Sequence, residues 1–386
     1  MSAVLDKPSL LQRVRPIFSG FDAALLLGIA LLAAAGMVNM YSVGFDHGTR
    51  FVDHGRNLLI ALGILFVVAQ VPPQRLMALA VPLYTLGVAL LVATAVMGVT
   101  KKGATRWLDV GVTVIQPSEM LKIATPLMLA WWFQRREGHA GLPEYLGAFA
   151  ILAVPVGLIV KQPDLGTAIL VASTGIFVIF FAGLSWRLII PVVAGGAIGI
   201  AAIVLSGDRI CQPDVQWPLL RDYQKTRVCT LLDPTKDPLG KGFHTIQGMI
   251  AIGSGGIEGK GFMKGTQTHL EFIPERTTDF AFAGYAEEFG LLGCVALVLG
   301  FTFLIFRGLM IAADAPTLFS RLLAGAVTLS FFTYAFVNMG MVGGILPVVG
   351  VPLPFVSYGG TSMVTTVGLG LGMLMAIARS RRAKQH

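Results

Sequence analysis

The residues able to do chemistry are few, and most stand where a long apolar run begins. Asp279 follows Pro274-Glu275-Arg276-Thr277-Thr278 and precedes Phe280. A carboxylate there is either part of a helix cap, for which Asp and Thr are favoured, or a group held at the rigid start of a helix, where a reacting side chain is placed most accurately. Spacing alone does not decide between the two. Glu119 and Lys122 lie three apart at another helix start, on one face. They read either as a neutralising pair or as the lining of a polar cavity. Asp164 opens a run after Lys161-Gln162-Pro163 and reads first as an N-cap. Glu287 and Glu288 stand deep in an apolar segment. Adjacent carboxylates there point different ways, so at least one requires a partner from elsewhere. Ionisable groups at membrane depth are costly and face a cavity or one another.

The elements that must hold these residues are transmembrane helices. The chain has 386 residues, 55% hydrophobic and only 13% charged, with a mean hydropathy of +0.75. Soluble domains carry roughly a quarter charged residues. The net charge of +8 comes without a basic stripe interleaved with aromatics, which argues against nucleic acid. A bilayer core requires about 20 mostly apolar residues per helix. About ten stretches meet this: 22–43, 57–72, 77–98, 117–134, 145–160, 165–183, 186–206, 279–306, 318–345 and 361–379. The expected fold is an all-α polytopic membrane protein, residues 1–386 forming a single membrane-embedded domain. With the N-terminus inside, the inner segments hold thirteen Lys and Arg residues and the short outer loops six. By the positive-inside rule both termini are cytoplasmic. The first apolar run, from Ala23, is too long for a signal-peptide core, and neither end has a lipidation motif.

A large extracytoplasmic loop, 207–278, is then expected between helices 7 and 8. Loops of this length are usually functional. Its second half is rich in glycine, which suits either close approach of backbone to a ligand or tight turns. Residues 243–252 are apolar enough for a short interfacial helix, which Ser254-Gly255-Gly256 breaks. Cys211 and Cys229 both fall in this loop, in a compartment that permits disulfides, so a bridge between them is expected. Cys294 lies within a span and reads as a small packing residue.

Several motifs are more specific. They are Gly103-Ala104-Thr105-Arg106-Trp107-Leu108, Gln116-Pro117-Ser118-Glu119 with Lys122, and Gln162-Pro163-Asp164-Leu165-Gly166-Thr167. The long loop adds Leu232-Asp233-Pro234 with Asp237-Pro238, Ile250-Ala251-Ile252-Gly253-Ser254-Gly255-Gly256, and the run from Leu270 to Phe280. Near the end stands Pro352-Leu353-Pro354-Phe355-Val356-Ser357-Tyr358-Gly359-Gly360-Thr361-Ser362. In order and over nearly the whole chain, these resemble the SEDS family (shape, elongation, division, sporulation). Gly259-Lys260-Gly261, Gly265-Thr266-Gln267 and Gly344-Ile345-Leu346-Pro347-Val348-Val349-Gly350 lean toward its elongation members. One position departs: the family usually has His before Thr-Asp-Phe, where this chain has Thr277. That bears on a neighbouring hydrogen bond rather than on Asp279.

The resemblance implies a peptidoglycan glycosyltransferase of cell elongation and shape maintenance. Such enzymes polymerise lipid II on the outer face of the bacterial cytoplasmic (inner) membrane, alongside a class B penicillin-binding transpeptidase. An α-linked donor and a β-linked product need one inverting displacement and one carboxylate base, as on the base side of inverting glycosidases. Asp279 is the expected base. The expected substrate-binding residues are Arg106, Glu119, Lys122, Asp164, Lys260, Arg276 and Ser357. Arg227 and Lys264 are further cations for the lipid pyrophosphate, and Arg106 and Lys122 are the favoured ones. Magnesium suits phosphate chemistry, because it commonly binds one or two carboxylates plus substrate phosphates, but no His/Cys cluster has ligand spacing. Two other functions share these features. A lipid II flippase would favour inverted repeats and helices broken at the midplane, and no convincing internal repeat is visible. A non-enzymatic scaffold for the transpeptidase would not need Asp279.

Overall fold

A computed structural model describes residues 20–46, 48–101, 104–109, 111, 114–136, 141–212, 215, 217, 222–236, 238, 242–273 and 275–383. The chain is a helical membrane protein. Its helices are α1 (Ala23–Val43), α2 (Arg50–Val68), α3 (Pro73–Met97), α4 (Pro117–Gln134), α5 (Leu142–Lys161), α6 (Leu165–Phe181) and α7 (Trp186–Leu205). The long connection holds α8 (Gly207–Ile210), α9 (Asp222–Leu232), α10 (Phe243–Gly255) and α11 (Thr266–His269). Then come α12 (Ala281–Ala313), α13 (Leu318–Val342) and α14 (Gly360–Met363), which runs through a π-helical stretch, Val364–Leu371, into α15 (Gly372–Ala383). Among the described residues, eight helices are long and apolar enough to cross a membrane. Two more expected spans coincide with α4, of 18 residues, and the shorter apolar α6.

Hydropathy missed some boundaries for identifiable reasons. The expected second span, 57–72, is α2 from Arg50 to Val68. Asp53 sits in its first turn, which the helix dipole favours, and pairs with Arg56 at 2.9 Å. These charges lower the local hydropathy without breaking the helix. The expected 145–160 span runs from Leu142 to Lys161. An antiparallel sheet was not anticipated. Strand β2 (Ala104–Asp109) pairs with β1 (Val99–Lys101) on one side and with β3 (Val114–Ile115) on the other. The motif around Arg106 is therefore a strand.

At the centre of the bundle stand α13 and the π-helical segment with its flanking helices, most of whose residues are buried. Small residues allow close contact, as usual where helices meet in a membrane. A side chain at Gly36 would strike the Phe355 carbonyl, and one at Gly308 would strike Thr328. By contrast, α7 buries no residue. Away from the loops, Asp22 caps α1 by accepting from the Leu25 amide at 2.9 Å. The same carboxylate takes Arg307 Nε at 2.8 Å and a second bond from its Nη2, a bidentate pair.

The helix α12 has 33 residues, about 50 Å at 1.5 Å per residue. That exceeds a bilayer core of about 30 Å, and the helix is not continuous. Gly290, with φ 61° and ψ −161°, divides it. Residues 256–261 lie against the break and complete its ladder. The Lys260 and Gly261 amides donate to the Glu287 and Glu288 carbonyls at 3.0 and 2.9 Å. The Leu291 and Leu292 amides donate to the Gly256 and Ile257 carbonyls at 2.9 and 3.1 Å. The expected interfacial helix is α10, and it ends where Gly256 turns to φ 57°. Farther back in the loop, Cys211 and Cys229 form a disulfide, with Cα atoms 5.6 Å apart.

Gly290→Ala tests this arrangement. It forces a side chain into a left-handed conformation, at about 1–3 kcal/mol, and sets a methyl group 2.3 Å from the Gly259 nitrogen. The variant should unfold at lower temperature in detergent and be cleaved faster between residues 256 and 269. Wild-type resistance to both would mean that the break does not need glycine.

Candidate active site

Three helix starts, those of α4, α6 and α14, converge with strand β2 and the loop before α14 around one polar cavity of about 180 Å³. Its lining includes Arg106, Gln116, Glu119, Lys122, Asp164, Thr167 and, from the far side, Gly350, Val351, Pro352, Gly359, Thr361 and Ser362. Arg106 arrives on β2. Its Nη2 donates to the Pro163 carbonyl at 3.0 Å, and its Nη1 lies 3.6 Å from Asp164 Oδ1. Nε is buried without a hydrogen-bond partner. Asp164 caps α6 through the Thr167 amide at 3.2 Å and also accepts from Gln116 Nε2 at 2.9 Å. It thus fulfils the capping role while facing the cavity.

Glu119 and Lys122 occupy the first turns of α4 and are bonded at 2.6 Å. Both open readings of the pair hold: it is a neutralising pair, and it lines the cavity. Thr365, in the π-helical stretch, donates to the other Glu119 oxygen at 3.1 Å. π-Helical turns are rare and tend to occur at functional sites. Lys122 also stands 5.5 Å from the centre of the Tyr334 ring.

Asp279 is half-buried in the turn before α12, and Phe280 takes the N-cap position without a side-chain bond. Thr278, next in line to Asp279, donates to the Glu275 carboxylate at 2.9 Å. A Cβ placed on Gly350 would lie 3.3 Å from Asp279 Oδ2, and Gly350 is on the cavity wall. The turn is tied to the loop before α14 by the Tyr358 amide, which donates to the Thr277 carbonyl at 2.7 Å. Thr277, the position that departs from the SEDS pattern, is buried. His244 of α10 packs against Phe280, with ring centres 5.7 Å apart. Burial holds its imidazole below the usual range, against the opposing pull of the Glu275 carboxylate.

The other expected site residues lie apart from this cavity's lining. Lys260 Nζ is bonded to Glu287 at 2.7 Å. The same carboxylate accepts from the Gln267 and Thr268 amides at 2.8 and 3.1 Å, so the loop supplies the partners that its depth demands. Glu288 accepts from Ser42. Arg276 is buried, donates to the Val43 carbonyl at 3.2 Å and pairs with Asp46. Ser357 is buried and closes a turn by accepting from the Leu353 amide at 2.9 Å. Gln116 and Thr167 stand within the quoted motifs around Glu119 and Asp164 but are not among the expected site residues, and Thr365 is brought to the site only by the fold. Among the described residues, no group of three or more His, Cys, Asp or Glu is arranged to hold a metal.

A sequence profile of the cell cycle protein family of FtsW, RodA and SpoVE matches residues 17–383. The chain belongs to this family. Peptidoglycan glycosyltransferase MrdB of Escherichia coli (strain K12) is 46% identical over 358 residues, which cover 93% of each chain. Peptidoglycan glycosyltransferase RodA of Treponema pallidum is 30% identical over 431 aligned positions, covering 95% of this chain and 99% of that protein. Among solved structures, a chain of a peptidoglycan synthase complex that coordinates polymerization and crosslinking has a TM-score of 0.76 and 33% identity, covering 94% of this chain and 99% of that one. The rod shape determining protein RodA of Thermus thermophilus has a TM-score of 0.68 and 28% identity, covering 94% and 98%. The FtsW/RodA/SpoVE family is the one that the SEDS motifs indicated.

The buried pair at the start of α4 yields a stability test. Lys122→Met alone leaves the Glu119 carboxylate uncompensated, at an expected cost of about 3–5 kcal/mol. Combining it with Glu119→Leu should recover most of that loss. Thermal unfolding of both variants in detergent measures the difference. Equal losses would show that the ion pair is not what the single change disrupts.

Proposed function

We propose that this member of the FtsW/RodA/SpoVE family polymerises lipid II into glycan strands during cell elongation and shape maintenance. The chain is a peptidoglycan glycosyltransferase. It works in the bacterial inner membrane with both termini cytoplasmic and its cavity open to the outer face. A class B penicillin-binding transpeptidase is its partner and crosslinks the strands.

The observation that carries the reading is the position of Gly350. It lines the cavity that holds Arg106 and Lys122, and a Cβ added to it would lie 3.3 Å from Asp279 Oδ2. Glycosyl transfer from a lipid pyrophosphate needs a base at the acceptor hydroxyl and positive charge at the leaving group. Asp279 takes the proton from the acceptor C4 hydroxyl as that oxygen attacks the donor's anomeric carbon. The carbon–oxygen bond to the pyrophosphate breaks in the same inverting step, and the bonding pair leaves with the lipid pyrophosphate. Arg106 offers a planar donor fork and Lys122 a point charge to those phosphates. Glu119 and Asp164 hold the two cations in position.

A resident metal does not suit this arrangement, because the cavity's two carboxylates, Glu119 and Asp164, already face Lys122 and Arg106. A magnesium ion carried by the substrate's own phosphates would fit better, since magnesium commonly binds substrate phosphates. Chelation of divalent cations should then lower turnover through weaker pyrophosphate binding while leaving the unfolding temperature unchanged. A fall in unfolding temperature on chelation would argue for a metal held by the protein.

The direct test is polymerisation of purified lipid II by the full chain with its transpeptidase. A positioned base contributes about 10²–10⁴-fold, so Asp279→Asn should lose about that much while folding and membrane insertion persist. A near-normal rate in that variant would remove Asp279 from the role of base.

A further inference from the structure

Asn338 stands in the apolar α13 and is fully buried. Its Nδ2 donates to the carbonyl of Asp279 at 2.9 Å and to the carbonyl of Val351 at 2.7 Å. A side-chain amide has two N–H donors, and both are used. The two acceptors also fix its orientation, since an amide oxygen facing them would repel both. The acceptors belong to different segments. Asp279 closes the turn before α12, and Val351 lies in the loop before α14, on the cavity wall beside Gly350. One amide therefore joins the main chain of the candidate base to the wall of the cavity it serves.

We propose that Asn338 is a positioning residue for the transfer reaction and sets the distance of the Asp279 carboxylate from the bound acceptor. The proposal rests on the reading of Asp279 as base. Gly350, next to Val351, has φ 74°, a conformation that keeps glycine there. The Cβ that it lacks would stand 3.3 Å from Asp279 Oδ2, so the carboxylate and this stretch of the wall are near neighbours. If the amide is removed, each carbonyl is released from its common point and the two segments shift independently. A buried carbonyl left without its donor also seeks another partner, which drives the shift. Asn338 is not part of the cavity's lining, so its effect passes through Asp279.

The test compares Asn338→Leu and Asn338→Gln with wild type in lipid II polymerisation by the full chain with its transpeptidase. Rates are expressed per folded molecule, counted by thermal unfolding in detergent. Asn338→Leu should lower kcat by about 10²-fold, the scale for a displacement of about 1 Å at a reacting group, with KM unchanged. Asn338→Gln keeps both donors one methylene farther out and should lose less. In an Asp279→Asn background, Asn338→Leu should lower the residual rate no further, since contacting residues that act as one unit are not additive. Wild-type kcat in folded Asn338→Leu overturns the proposal. If that variant does not fold, wild-type kcat in Asn338→Gln overturns it instead. Variants that lose only folded protein, each folded molecule turning over normally, make Asn338 purely structural and also overturn it. An inactive Asp279→Asn beside an unaffected Asn338→Leu rejects positioning alone, whereas a fully active Asp279→Asn rejects the base assignment beneath it.

Discussion

The helix break at Gly290 governs the loop half of this protein. A bilayer offers no water to an interrupted helix, so backbone groups freed within it must be satisfied by protein. Here residues 256–261 supply the missing donors and acceptors on both sides of the interruption. The same segment delivers Lys260 to Glu287, whose side chain is fully buried. A lone carboxylate at that depth would be expensive, and Lys260, Thr266, Gln267 and Thr268 all contribute to its neutralisation or hydrogen bonding. The loop is anchored to the bundle by charge and backbone at one place. The turn that carries Asp279 is the next stretch of chain, so its position depends on that anchorage.

A second set of ties joins this turn to the remaining wall of the cavity. Tyr358 donates to Thr277, and Asn338 binds Asp279 and Val351 together. His54 of α2 contacts the Phe355 carbonyl at 2.9 Å, and the Arg50 guanidinium lies 4.4 Å from the centre of the Tyr358 ring. Segments far apart in sequence are thereby held in one register by single polar contacts set in apolar surroundings. Such contacts are stronger in a low dielectric than in water, and their loss is correspondingly costly. The geometry of the cavity is a property of this network rather than of any one helix.

Much of this was legible in the sequence, and what was not has identifiable causes. Apolar runs near 20 residues announce membrane helices because the hydrocarbon thickness fixes their length. The start of α2 is not visible to hydropathy, which counts Arg50, Asp53 and Arg56 as charges and takes no account of the Asp53–Arg56 pair or of Arg50 lying over the Tyr358 ring. Glu119 and Lys122 could be read as lining a polar cavity because positions three apart on a helix start share a face, whereas Asp164 reads first as an N-cap and only the fold brings it to the same cavity. Lys260 was read as a phosphate cation because its partner, Glu287, is 27 residues away and only the fold brings them together. Asn338 gave one faint sign, an amide in an apolar run. Its role depends on carbonyls 59 and 13 residues distant, which no local pattern encodes.

On the proposed reading, the ion pairs of the cavity suit a site that stands ready for a diphosphate substrate. Unpaired Arg and Lys side chains in a partly buried site would pay a large desolvation cost. Pairing Arg106 with Asp164 and Lys122 with Glu119 removes most of that cost while substrate is absent. The pairing also weakens attraction for a ground-state diphosphate, because each cation is already neutralised. Two features leave room for stronger contact later. Arg106 keeps a buried Nε–H without a partner, and a lysine ammonium has three donors. In the proposed transfer, negative charge grows on the leaving group as the glycosidic bond breaks, and these donors would gain most at that moment. Interactions that strengthen between ground state and transition state are the ones that accelerate a reaction. On the proposed chemistry, the two carboxylates that oppose ground-state phosphate binding direct the binding energy toward bond cleavage.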